Sequence, residues 1–167
     1  MNKARQTHEF GPCYDADSKI LILGSFPSVK SREEGFYYGH PMNRFWKLLA
    51  LLYEEETPGD IAQKKAFLKR NRIALWDVIE SCEIAGSSDS SIERVAINDV
   101  GRILRETKIQ AVYANGRKAE SLYRKYLEPV TGIKAAGLPS TSPANASFSL
   151  NRLKEQWKRI LEDAKSL

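Results

Sequence analysis

Cysteine is scarce in this sequence and long apolar runs are missing, and both shortages narrow what the chain can be. Only Cys13 and Cys82 occur among 167 residues, far apart and in no CxxC pair. Neither a zinc site nor an iron–sulfur cluster is encoded, and no cofactor is expected. Both thiols are expected to be reduced. No stretch approaches the length of a membrane span, and the N-terminus lacks the apolar segment of a signal peptide. A soluble, cytoplasmic protein with no membrane partner is expected. No internal repeat or low-complexity tract interrupts the chain. Nor does one sign of charge dominate: 26 Lys and Arg against 21 Asp and Glu give a formal net charge of +5. That permits attraction to phosphates without demanding it, and a merely solvated basic surface is the alternative.

What the chain does contain fits one compact domain over residues 1–167. Three Trp, seven Tyr and six Phe are spread along it. Some must pack a core, and others could stack on planar ligands. Residues 1–18 are polar around Gly11-Pro12 and read as a loosely held arm. Lys19-Ile-Leu-Ile-Leu-Gly24, Ile73–Ile79 and Ala111–Ala114 read as buried strands, with a fourth at Lys134–Leu138. Apolar residues at 45, 48, 49 and 52 predict a helix over 41–53 with Pro41 near its start. Further helices are expected over 60–70 with Asp60 as cap, over 92–107 with a break near Asn98-Asp99, over 117–126 and over 150–164. Segments 83–91 and 139–147 read as loops. Strands alternating with helices imply an α/β fold with a mostly parallel sheet covered on both faces, and such sheets bind ligands beyond the carboxyl ends of their strands. The loop after Leu23, the Asp77–Ser91 region, Asn115 and the Ser140–Ser147 loop all fall at that edge.

Within this edge, Gly24-Ser-Phe-Pro-Ser28 is a glycine turn that lets backbone approach a ligand, or an ordinary strand-to-loop turn. Gly35-Phe-Tyr-Tyr-Gly-His-Pro-Met-Asn-Arg-Phe-Trp46 puts three consecutive rings in a loop. Each either stacks on a base or folds back onto the core. Asn43 either serves the site or hydrogen-bonds nearby backbone. Asn115-Gly116 reads as a common turn or a base contact. Asp89 reads as a loop or capping residue or as a base contact, Asp77 as a structural strand-end carboxylate, and His40 as structural.

The pattern from Gly24 to Trp46 resembles the first motif of the uracil-DNA glycosylase superfamily. His40-Pro-Met-Asn-Arg-Phe-Trp46 is similar to the mismatch-specific uracil glycosylases, and Pro27 and Asn43 keep the separation found there. Ser142-Pro-Ala-Asn-Ala-Ser147 resembles the second motif. The resemblance spans most of the chain and implies a three-layer α/β/α fold around a four-stranded parallel sheet. One departure stands out. The superfamily usually carries Asp or Asn, which holds the attacking water, where this sequence has Phe26. Together with Ser-Asp-Ser at 88–90, this looks like the hypoxanthine-DNA glycosylase branch, which removes deaminated adenine.

The resemblance implies that Asn43 is catalytic, its carbonyl oxygen orienting a water toward the sugar C1′. Ser25, Phe26, Tyr38 and Asn115 would bind the flipped base, with Tyr38 stacking on it and backbone N–H groups of Ser25–Ser28 stabilising the departing base. Ser142, Pro143, Ala144 and Asn145 would pinch the DNA backbone. Ser142 stands where the most active uracil enzymes have histidine, and Ala146 is too small to fill the gap left by an extruded base. Arg44 and Arg117 either touch phosphates or are solvated or paired within the protein. The implied partner is DNA containing a damaged base, bound by a monomer, and the implied product an abasic site without strand cleavage. A uracil or mixed-specificity glycosylase and a non-catalytic nucleic-acid-binding module of the same fold are the alternatives.

Overall fold

A computed structural model describes residues 3–165. Strands and helices are numbered along the chain. The larger sheet has four parallel strands, β2 (Ile20–Gly24), β3 (Ile73–Asp77), β6 (Ala111–Asn115) and β7 (Ala135–Leu138), in the order β3-β2-β6-β7. Every residue of β2 and β3 is buried. Their continuous apolar runs, with no alternation, are what strands covered on both faces require. From β2 the chain moves to β3 on one side and later crosses back to β6 on the other. The carboxyl end of β2 is therefore a switch point, where loops leaving in opposite directions open a crevice.

The helices are α1 (Val29–Glu34), α2 (Phe45–Tyr53), α3 (Ile61–Arg70), α4 (Val100–Glu106), α5 (Arg117–Tyr126), α6 (Glu128–Thr131), α7 (Leu150–Trp157) and α8 (Arg159–Lys165). Asp60 caps α3 as expected, accepting from the Gln63 N–H at 2.7 Å. Leu48, Leu49 and Phe45 of α2 bury against the core that also contains Trp157, which is fully enclosed and donates its indole N–H to the Pro139 carbonyl at 2.9 Å. No helix of the described residues is long and apolar enough to cross a membrane.

Three sequence-based expectations are corrected, and one stretch that carried no expectation proves helical. The N-terminal segment is no loose arm: β1 (Ala4–Thr7) pairs antiparallel with β4 (Ile79–Ile84), and Cys13 exchanges two 2.9 Å backbone hydrogen bonds with Leu75. The strand read as ending at Ile79 stops at Asp77, and β4 runs on into the expected loop as far as Ile84. The first half of the expected 92–107 helix is β5 (Glu93–Ile97), which completes a three-stranded antiparallel sheet in the order β1-β4-β5. Asn98 anchors this strand's end by donating its side-chain N–H to the Asp77 carbonyl at 2.9 Å, and Asp99 then caps α4. Finally, the 28–34 stretch holds α1, capped by Ser28 and stopped by Gly35 at φ 75°.

Candidate active site

A cavity of about 280 Å³ opens beyond the carboxyl ends of β2, β3 and β6. The turn Ser25–Ser28 lines it from β2, Asp77 from β3 and Asn115 from β6. Tyr38, His40 and Asn43 enter from the loop before α2, Asp89 from a short 3-10 turn, and Ser140–Ala144 close the far side. Parallel pairing sets Gly24 opposite Asp77. A Cβ at Gly24 would collide with Asp77 Oδ1 and stand 3.3 Å from the Tyr38 hydroxyl. Glycine is needed here because two polar side chains occupy the space above it.

The three rings of the aromatic run divide. Phe36 and Tyr37 are buried, and the Tyr37 hydroxyl donates to the Gly11 carbonyl at 2.9 Å. Tyr37 also reaches the cavity wall, and Tyr38 beside it has Phe45 stacked behind its ring at 4.0 Å between centroids, 24° from parallel. Its backbone sits at φ 55°. Burial, reinforced by the Asp77 charge, pushes its phenol pKa up, so it stays a neutral donor. That hydroxyl lies close to Asn115 without completing a hydrogen bond of standard geometry. Phe26, 8% exposed, also lines the cavity, with the Arg32 guanidinium 5.4 Å from its ring centroid. The Ser25 hydroxyl donates to Asp89 Oδ1 at 2.7 Å, and burial raises the Asp89 pKa.

Asn43 is held by its carbonyl. Oδ1 accepts from the Phe45 N–H at 3.0 Å and from the Thr141 hydroxyl at 2.8 Å. An amide oxygen has two lone pairs, so both are engaged, and the group left for the cavity is the Nδ2 amide. Thr141, fully buried, is the hub of this arrangement. Its hydroxyl accepts from Asn115 Nδ2 at 3.1 Å, its N–H donates to Asn115 Oδ1 at 3.1 Å, and its carbonyl accepts from the Arg44 N–H at 3.1 Å. The three elements that carry the site are thereby tied through one side chain.

A model of the uracil DNA glycosylase superfamily matches residues 12–165. The chain belongs to this superfamily. It is 39% identical over 154 residues to a hypoxanthine DNA glycosylase of Methanosarcina acetivorans, covering 90% of this chain and 95% of that protein. It is 36% identical over 151 residues to a hypoxanthine DNA glycosylase of Methanosarcina barkeri, covering 89% and 93%. A solution NMR structure described as a candidate uracil DNA glycosylase of M. acetivorans matches with a TM-score of 0.80 at 37% identity, over 93% of this chain and 96% of that one.

In this superfamily member the second-motif loop is braced from within. The Arg44 guanidinium donates to the carbonyls of Phe148, Ser142 (3.0 Å) and Asn145 (3.1 Å). Arg44 is therefore spent inside the protein, which decides between the two readings of that residue. Ser142 Oγ accepts from the Ala144 N–H at 3.1 Å, and Asn145 Nδ2 donates to the Ser140 carbonyl at 3.0 Å, while Pro143 and Ala144 are exposed at the mouth. Arg117 is exposed at the start of α5 and has no partner among the described residues. His40 Nδ1 accepts from the Met42 N–H at 3.0 Å, which tightens the turn before Asn43, and the residue also lines the cavity.

Sequence reasoning left two members out. Asp77 was read as structural, yet it lines the cavity. Its signal was a lone carboxylate ending an apolar strand level with the first motif. Thr141 had no signal beyond its place beside Ser142. Thr141→Val, which keeps the shape and deletes the hydroxyl, removes one of the two donors to Asn43 Oδ1 and leaves Asn115 Nδ2 without its acceptor. It is expected to cost about 1–3 kcal/mol in urea unfolding, with Thr141→Ser close to wild type. Equal stability of Val and wild type would show that the hub carries no weight.

Proposed function

We propose that this protein is a monofunctional DNA glycosylase that hydrolyses the N-glycosidic bond of hypoxanthine, the deamination product of adenine, and leaves an abasic site. The observation that carries this reading is an unused acceptor on the cavity floor. Asp77 Oδ2 is taken by His8, and Oδ1 accepts no hydrogen bond from the described residues. Deamination changes the Watson–Crick edge of adenine at N1 from a lone pair to an N–H. A carboxylate oxygen there attracts the deaminated base and repels the intact one, whose own N1 is an acceptor. Uracil offers a similar N–H. The two Methanosarcina relatives, both named hypoxanthine DNA glycosylases, favour the purine.

In this reading Tyr38 stacks on the extruded base from its Phe45-backed position, and Phe26, Ser25 and Asn115 shape the rest of its envelope. Asn43 is the catalytic residue. It acts through Nδ2, which donates to the oxygen of the attacking water and fixes where it stands relative to C1′. Ser142, Pro143, Ala144 and Asn145 follow the DNA backbone at the mouth, and Arg117 adds a free cation. Met42, 66% exposed beside Asn43, is the side chain of a size to fill the vacated stack, which Ala146 is not. No lysine lines the cavity, so no Schiff base cuts the strand.

A panel of hypoxanthine, uracil, xanthine and adenine oligonucleotides at fixed salt tests the proposal, because phosphate contacts make affinity salt-dependent. Hypoxanthine is expected to be released fastest, leaving alkali-labile but unbroken strands. Faster uracil release would establish the uracil or mixed reading, and binding with no release from any substrate would establish the non-catalytic one.

A further inference from the structure

The N-terminal segment delivers a histidine beneath the cavity. Beyond Thr7, paired with Ser81, the β1–β4 ladder continues through the His8 N–H, which donates to the Glu80 carbonyl at 2.7 Å. On its far side the segment is fastened again by Cys13 to Leu75. Between these anchors the His8 ring is enclosed by Phe10, Tyr37 and Phe26, with centroids at 4.5, 5.9 and 6.1 Å. Its Nε2 meets Asp77 Oδ2 at 2.7 Å, with side chains only 2% and 4% exposed. Nδ1 is buried without a partner. A buried ring with one unsatisfied nitrogen is costly and is retained where its other nitrogen has a task.

We propose that His8 is a positioning residue of the base pocket: by donating to Asp77 Oδ2 it turns Oδ1 of the same carboxylate toward the N1–H of the flipped base. This rests on the reading of Asp77 given above. A carboxyl group rotates freely about Cβ–Cγ unless one oxygen is held. Asp77 has only two other constraints, its backbone in β3 and the crowding over Gly24. His8 supplies the missing one, and its own position is set by two backbone attachments remote from the DNA. The N-terminal strand thus takes part in choosing the base, although it touches neither base nor phosphate.

The test is a double-mutant cycle on the full chain, with single-turnover release of hypoxanthine and adenine as the readout. His8→Leu is expected to lower kcat/KM for hypoxanthine about tenfold and to narrow the hypoxanthine-to-adenine ratio. His8→Gln, whose amide N–H reaches about as far as Nε2, is expected to restore most of both. In an Asp77→Ala background, His8→Leu should change kcat/KM by less than about twofold, because no carboxylate is left for His8 to orient. If the Leu variant does not fold, His8→Asn carries the same test, since its shorter amide cannot span to Oδ2. An unchanged base ratio in the His8 variants, or the same loss in both backgrounds, overturns the inference while leaving the functional reading intact. A wild-type chain inert on every inosine substrate overturns that reading and this inference with it.

Discussion

Asp77→Asn is expected to reduce hypoxanthine release by about two orders of magnitude and to narrow discrimination against adenine. The substitution changes one atom and keeps the shape. The His8 ring decides how the new amide sits: its Nε2, 2.7 Å from the outer oxygen, favours the carbonyl there and turns the amide nitrogen into the cavity. Two donors, Nδ2–H and the N1–H of hypoxanthine, then face each other, and both are desolvated with no partner. Sites built to hydrogen-bond a substrate group discriminate strongly for this reason, since a mismatch leaves buried polar atoms unpaired. Adenine presents a lone pair at N1 and loses its repulsion. Burst-phase release of the two bases from matched oligonucleotides measures both changes. A variant with wild-type selectivity would remove Asp77 from base reading.

That prediction depends on a residue which the sequence did not single out, and the reason is physical. β2, β3 and β6 were legible because their central residues are buried on both faces, so apolar runs mark them without reference to the rest of the chain, while the edge strand β7 is only half-buried and was marked by its short apolar run alone. β1 was not, because Ala4-Arg-Gln-Thr7 is exposed or half-exposed and becomes a strand only through β4. β5 was misread because Ile92, Val95 and Ala96 have helical spacing. Pairing with β4 and the buried Asn98 override that local preference. The site divides along the same line. Phe26, Tyr38 and Asn43 lie in one contiguous motif, where type and spacing carry information. Asp77, Thr141 and His8 enter through contacts 69 to 98 residues apart in sequence, His8 with Asp77 and Thr141 with Asn43. A single sequence carries little trace of such pairings. Even within the motif, the expectation that Asn43 works through its carbonyl oxygen could not anticipate that Thr141 would occupy it.

Asn43 allows a sharper experiment than removal. Asn43→Ala is expected to lower base release by about 10²–10³-fold. It also deprives the Phe45 N–H and the Thr141 hydroxyl of their shared acceptor, at a cost of about 1 kcal/mol in stability, so loss of activity alone would be ambiguous. Asn43→Asp separates the two roles. Its Oδ1 still accepts from Phe45 and Thr141, so the loop before α2 keeps its shape and the unfolding midpoint should stay near wild type. Only the cavity-facing group changes, from an N–H donor to an acceptor oxygen. If Asn43 acts by donating, Asp should be as inactive as Ala at full stability. If instead an acceptor at this position orients the water, a carboxylate is the stronger acceptor and a better proton sink, and the Asp variant should equal or exceed wild type. Release rates and unfolding curves measured on the same two variants distinguish these outcomes. The engaged carbonyl of Asn43 argues for the first.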